Sequence, residues 1–139
     1  IWEDDSAWQG FRELIEKSLV AWDWAESFAC LNLVVKPAFE ECVIRGLGDA
    51  ARHNGDTLLG LLADAQLRDA ERHRRWTRAL VKMALEQPAN AEVIRGWIAK
   101  WMPLANAAIA VYAAQLADAP DTTERALATI TEFHRSVGF

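Results

Sequence analysis

The chain has 139 residues, a formal net charge of -5 and 52% hydrophobic residues, with seven Trp against one Tyr. That length suits one domain with a real core, and the acidic balance argues against nucleic acid, whose footprint is a concentrated basic surface. The apolar runs are broken by charges well before the roughly 20 residues a spanning helix needs, and no charged-then-apolar leader opens the chain, so no membrane partner is expected and a cytoplasmic location is the default.

Periodicity predicts helices throughout. From about residue 7 to 36 the stripe Phe11, Ile15, Leu19, Trp22, Glu26, Ala29, Leu33 recurs at three- and four-residue steps, and Pro37 is expected to interrupt it. A second helix over about 38–53 carries Phe39, Cys42, Val43, Leu47 and Ala50 and stops at Asn54-Gly55, a C-terminal cap signal. Asp56 can cap a third helix running to about Glu86, with Leu58, Leu62, Ala65, Asp69, Arg72, Trp76, Leu80 and Met83 expected to face inward. Asn90 can cap a fourth, over about 91–118, that turns Ile94, Trp97, Trp101, Ala105, Ala108 and Tyr112 inward and holds Pro103 in its interior, where a kink is expected. Asp121-Thr122-Thr123-Glu124 resembles a capping box opening a last short helix to about Ser136. The fold class is all-α: an antiparallel helical bundle over 1–118 with two long helices, then a short helix and tail over 119–139. The chain opens at Ile1 rather than Met, which suggests a segment of something longer or a processed product.

Acidic side chains on apolar stripes are the chemical signal. A carboxylate-bridged diiron site in a bundle wants a Glu from each of two helices and Glu-x-x-His from each of two others, because positions i and i+3 share a face. No such motif occurs: Ala50, Ala70 and Thr131 stand three before His53, His73 and His134. Ligands would project instead from Glu26-Ser27-Phe28-Ala29 and Asp69-Ala70-Glu71-Arg72, and a permanent cation at the last position opposes a metal. Two readings stand. Either Glu26 lies at a stripe edge and reaches solvent, or Glu26 or Asp69 pairs with Arg72 in the interior as a polar remnant that fixes helix register.

Other features have bland readings beside sharper ones. Asp49 with His53 and Asp69 with His73 are i,i+4 neighbours, a spacing that serves helix contacts more often than metals. Arg68, Arg72, Arg74, Arg75, Arg78 and Lys82 form a basic run that is either a solvated face or a dock for an acidic partner. Trp97 and Trp101, one turn apart, are core or an interface anchor. Cys30 and Cys42 lack CxxC spacing and read as reduced, buried small residues.

The strings WQGFRELIEK, WDWAESFACLNLVVKP, NGDTLLGLLADAQLRDAERHRRWTRALVKMALEQPAN and IRGWIAKWMPLA, in that order, resemble the beta subunit of bacterial multicomponent diiron monooxygenase hydroxylases, in the toluene and xylene branch. The resemblance covers about Trp2 to Tyr112, and family beta subunits are much longer, so it reaches their C-terminal part. It implies a ferritin-like fold without iron ligands. It also implies a hydroxylase of two alpha, two beta and two gamma subunits, in which the alpha chain holds the diiron centre. An effector protein and an electron-transfer chain from NADH complete that system, which inserts one oxygen atom of O2 into an aromatic hydrocarbon such as toluene, benzene, xylene or phenol. On this reading the chain is a noncatalytic subunit with no catalytic, cofactor or metal residues. Glu26, Asp69 and Arg72 are the polar remnant, and Trp22, Trp24, Trp76, Trp97 and Trp101 are packing or interface residues. The rival expectations are a free-standing helical adaptor and a metal-dependent ferritin-like oxidase with its ligands outside this segment.

Overall fold

The structure is a computed structural model that describes residues 2–116 and 119–139. Among the described residues there are five helices: α1 (Ser6–Leu19), α2 (residues 24–53), α3 (Thr57–Ala84), α4 (Ala89–Ala113) and α5 (Ala119–Ser136). No strand occurs among the described residues.

The expected first helix over 7–36 is broken at residues 20–23. The Val20 and Ala21 backbone N–H groups turn back to the carbonyls of Lys17 and Ser18, and the Asp23 carboxylate caps the next helix by accepting from the Glu26 N–H at 2.9 Å. The Ser27 hydroxyl closes the corner by donating to the Ala21 carbonyl at 3.1 Å. Asp23 is an ordinary N-cap residue; the apolar period running through it conceals the break.

Pro37, by contrast, interrupts nothing. Helix α2 continues to His53 by widening into π-turns at Cys30–Val35 and Glu40–Ile44, where Lys36 and Arg45 donate to carbonyls five residues back, Leu31 and Glu40. A proline at position i removes the bond to the carbonyl at i−4, here that of Leu33. The imidazole of His134 on α5 meets that carbonyl, with Nε2 2.7 Å from the Leu33 oxygen. Because only a protonated ring nitrogen can donate to a carbonyl, His134 is held as the Nε2–H form.

Helix α2 is the axis of the bundle. Between Ala29 and Val43 nearly every side chain is buried, on all sides of the helix. Helix α3 returns antiparallel along it after a cap at Gly55, whose φ of 77° admits the left-handed turn. The Asp56 N–H reaches back to Ala51 at 2.8 Å and the Gly55 N–H to Arg52 at 3.2 Å, a Schellman arrangement. Asp56 then caps α3 by accepting from the Leu59 N–H at 3.0 Å.

The face of α3 that turns inward is not the expected one. Gly60, Ala63, Ala70, Thr77 and Val81 are buried, whereas Leu58, Leu62, Asp69, Arg72, Trp76, Leu80 and Met83 lie exposed. Small residues let the two helices approach closely: a Cβ built on Gly48 would sit 2.7 Å from the Ala63 Cβ. A period shared by a small-residue face and a large-residue face leaves the inward side undecided, and close packing selects the small one.

Helix α4 places Ile94, Trp101, Ala105, Ala108 and Tyr112 in the core as expected, with Trp97 half-buried. Its predicted cap differs, since α4 begins at Ala89 and the Asn90 side chain instead donates to the Ala84 carbonyl at the end of α3, at 2.8 Å. Pro103 lies within α4, on its exposed side, and the helix runs on to Ala113. Helix α1 crosses α4 at Gly10, where a Cβ would come within 2.7 Å of the Ala108 Cα. Helix α5 starts at Ala119, so Asp121 sits within its first turn rather than at a cap. Its Ala126, Ile130 and Phe133, with Val137 just past its end, join the same core.

Two stability predictions follow from this packing. Gly10→Ala should destabilise the chain because backbone cannot move aside cheaply, while Gly96→Ala, with nothing within 4 Å, should stabilise it by about 0.5–1 kcal/mol; urea melts of both variants decide. His134→Ala should cost about 1–3 kcal/mol for an unsatisfied buried carbonyl. That cost should shrink in a Pro37→Ala background, which returns an N–H to the helix, and equal costs in the two backgrounds would contradict the pairing.

Candidate functional site

The polar site within the bundle is built from residues that the apolar stripes did not single out. Glu40 and Glu41 follow one another in the second π-turn of α2 and are both buried. Arg74 of α3 reaches across, its Nη2 3.0 Å from Glu40 Oε2 and 2.8 Å from Glu41 Oε1. Arg45 adds a second guanidinium to Glu41, with Nε at 2.7 Å. The Arg74 Nε is buried without a hydrogen-bond partner among the described residues.

These contacts divide the two carboxylates. Burial pushes Glu40 above the usual carboxylate range despite its bond to Arg74. Burial acts on Glu41 in the same direction, but hydrogen bonds from Arg45 and Arg74 outweigh it and hold this carboxyl below its ordinary value. Glu41 is therefore a carboxylate at neutral pH, acceptor-only and saturated by arginine. A cation would have to displace guanidinium to bind there. Among the described residues, no three or more His, Cys, Asp or Glu side chains are grouped so as to hold a metal ion.

The residues singled out in sequence fall elsewhere. Glu26 is half-buried and accepts from the Trp101 indole N–H at 3.0 Å and from Lys100 Nζ at 2.6 Å, so it ties α2 to α4 and does not meet Arg72. Asp69 and Arg72 do pair, at 3.1 Å, but on the solvent side of α3, with side chains 64% and 76% exposed. The interior pairing expected of Glu26 or Asp69 with Arg72 is thereby replaced by the Glu40–Glu41–Arg74 cluster. The signal for it was present: Arg74 is in phase with Ala70, Thr77 and Val81, and two glutamates interrupt an otherwise apolar run. The basic run splits in the same way. Arg74 turns inward and Arg78 leans on α5, donating to Ser136 Oγ at 3.0 Å, while Arg68, Arg72, Arg75 and Lys82 stay exposed.

Neither i,i+4 acid–histidine pair forms as such. Asp49 binds Arg52 and Arg125, each at 3.0 Å, and His73 Nδ1 takes a contact from Lys36 Nζ at 2.5 Å. Both cysteines are free and buried, as expected, and burial pushes the Cys30 thiol up to about 12 and Cys42 to about 11.

The tryptophans divide into inner and outer sets. Trp101 is core and Trp97 half-buried, but Trp22 is 100% exposed, Trp24 78% and Trp76 42%. For Trp22 the corner at residues 20–23 explains it, because the turn carries that indole off the stripe that would have buried it, and Trp24 opens α2 directly after the turn. Trp24 stacks on Phe28 at 5.9 Å and Phe28 meets Trp76 at 6.0 Å, so an aromatic ladder runs up one side of the bundle. Beside it an apolar cleft of about 230 Å³ is lined by Phe28, Leu33, Leu80, Ile94 and Trp97.

The interior thus holds a glutamate pair closed by two arginines, and the outer surface is rich in aromatic groups. Comparison with known proteins gives the chain a family: the model for methane, phenol and alkene hydroxylases matches residues 1–88. The chain belongs to that family. It is 56% identical over 116 residues to the toluene-4-monooxygenase system hydroxylase component subunit beta of Ectopseudomonas mendocina, covering 84% of this chain and 36% of that protein. To the phenol 2-monooxygenase oxygenase component DmpL of Pseudomonas sp. (strain CF600) it is 30% identical over 109 residues, 78% of this chain and 33% of that one. A solved structure of toluene 4-monooxygenase with toluene bound in the resting active site matches with a TM-score of 0.78 and 58% identity, over 80% of this chain and 37% of that chain. The bundle is accordingly ferritin-like. The chain spans about a third of the length of the curated relatives it matches.

The charges predict a pH response. Burial pulls His134 below the ordinary histidine value, against a weaker upward pull from the Leu33 carbonyl. The unfolded chain thus binds this proton more readily than the folded one, so the contribution is complete above about pH 6.5 and fades as pH falls toward the lower folded value. Stability measured from pH 7 to 5 should decline less steeply in His134→Phe than in the parent chain. Arg74→Met, which strips the shared cation from two buried carboxylates, should cost about 3–5 kcal/mol, measurable by denaturant unfolding.

Proposed function

We infer that this chain is the noncatalytic structural part of a hydroxylase beta subunit, in a diiron monooxygenase that oxygenates aromatic hydrocarbons of the toluene, benzene, xylene and phenol class. The observation that carries the reading is the 56% identity to a toluene-4-monooxygenase hydroxylase beta subunit. The diiron centre belongs, on this reading, to a partner alpha subunit, which receives NADH-derived electrons and O2. A small gamma subunit, a second beta copy, an effector protein and electron-transfer components complete the machine. The arginine-saturated carboxylates support a chain without chemistry of its own. The exposed indoles support one that presses on neighbours.

In mechanism the chain buttresses. Preorganised metal sites need a rigid supporting shell, and long helices locked in register by buried polar contacts supply rigidity. Trp22, Trp24 and Trp76 are the proposed anchors, since aromatic groups left exposed to water gain when a partner covers them. Glu26, Asp69 and Arg72 serve as positioning contacts and touch no reacting atom.

Native mass spectrometry of the hydroxylase isolated from its source tests this. A symmetric assembly containing a larger iron-bearing chain is the expected result, and this chain recovered without such a partner would overturn the reading. Trp22→Ser, at a fully exposed position, should weaken that assembly while shifting the stability of the chain by no more than about 0.5 kcal/mol, as exposed substitutions do.

A further inference from the structure

The reading above takes Asp69, Arg72 and Trp76 singly, but they belong to one continuous outer face of α3. Leu58, Leu62, Ala65, Asp69, Arg72, Trp76, Ala79 and Met83 alternate at four- and three-residue steps along it, the spacing of the two apolar positions of a coiled-coil heptad. At 1.5 Å per residue this stripe is about 38 Å long. None of it is buried: Leu58 is 69% exposed, Leu62 52%, Trp76 42% and Met83 62%. A surface helix with an apolar stripe of that length, turned away from its own core, marks an interaction site.

The order of residues along the stripe identifies the occupant. Reversed about its midpoint, between residues 70 and 71, the stripe maps onto itself: Leu58 meets Met83, Leu62 meets Ala79, Ala65 meets Trp76, and Asp69 meets Arg72. Each match is complementary. Apolar ends face apolar ends, the smallest residue faces the largest, and the acid faces the base. Leu61 and Leu80, exposed on either flank, exchange in the same way. Such self-complementarity about a two-fold axis is the signature of an isologous interface, and an acid–base pair at its centre fixes register and antiparallel sense.

We propose that α3 pairs antiparallel with α3 of a second copy of this chain, with Asp69 of each facing the partner's Arg72 across the two-fold axis. The proposal rests on the two-copy part of the reading above and specifies its interface.

Charge reversal tests it in a way that an intrahelical pair cannot imitate. In the full chain, Asp69→Arg puts two arginines opposite two arginines, and Arg72→Asp puts acids opposite acids, so each variant should lose dimer affinity by at least about tenfold. Mixing the two variants should restore the dimer as a heterodimer, since each arginine then meets an aspartate on the other copy. The 3.1 Å pair within one helix stays broken in both variants and cannot be repaired by mixing. Sedimentation velocity reads the dimer, and circular dichroism shows that both variants keep their helices. A parent chain that stays monomeric, single variants that dimerise unimpaired, or a mixture that fails to recover would each overturn the interface. Isolation of the natural assembly separates this from the broader reading. A larger iron-bearing partner without charge-sensitive pairing sinks only the interface, and charge-sensitive pairing without such a partner sinks only the hydroxylase role.

Discussion

The structure depends on enclosing one helix on every side. Helix α2 runs through the middle of the bundle, and any polar group it carries there must find its partner inside the protein, because an unsatisfied buried group is costly. It carries three such features, and each neighbour on that side supplies one answer. Helix α5 sends His134 to the carbonyl that Pro37 leaves unpaired, α3 sends Arg74 to the paired glutamates, and α4 sends the Trp101 indole to Glu26. Apolar packing alone tolerates sliding of helix on helix. Three directional contacts from three helices do not, since a shift of any one strands a charge or a carbonyl.

The two faces of α3 show how the division between inside and outside is made. Its small residues allow α2 to approach within contact of the backbone, which leaves no room for the larger ones on that side. The large residues are therefore left outside, together with the aromatic ladder and the two indoles at the α1–α2 corner. Those surfaces are too apolar to serve as a solvated exterior and too polar at the middle of α3 to be a misplaced core. Their composition, aromatic and aliphatic groups around a few fixed charges, is that of a protein interface.

Much of this was legible in the residues. The all-helical class, the cap at Asp56, the stop at Gly55, the inward face of α4 and the inert cysteines all follow from local rules that tertiary context did not override. Where fold and expectation differ, each difference has its own physical cause. Hydrophobic period reports that a helix has a face, without saying which of two candidate faces a neighbour will cover; on α3 the neighbour covers the small-residue face, so Asp69 and Arg72 lie outside. Pro37 misled for a different reason. Its usual effect is cancelled by the wide turn on either side and by a histidine about a hundred positions away, a contact that no local window contains. The corner at residues 20–23 was hidden because Leu19, Trp22 and Glu26 continue the spacing across a real break.

The placement of the two thiols gives the fold a built-in reporter. Cys30 lies in the first π-turn of α2 and Cys42 in the second, both shielded from solvent and from ionisation. A thiol-reactive reagent can reach either one only when the axis of the bundle opens. The rate at which each sulfur is modified therefore clocks the opening of its own half of α2, and the ratio of the two rates tells whether that helix unfastens from one end or breathes as a whole.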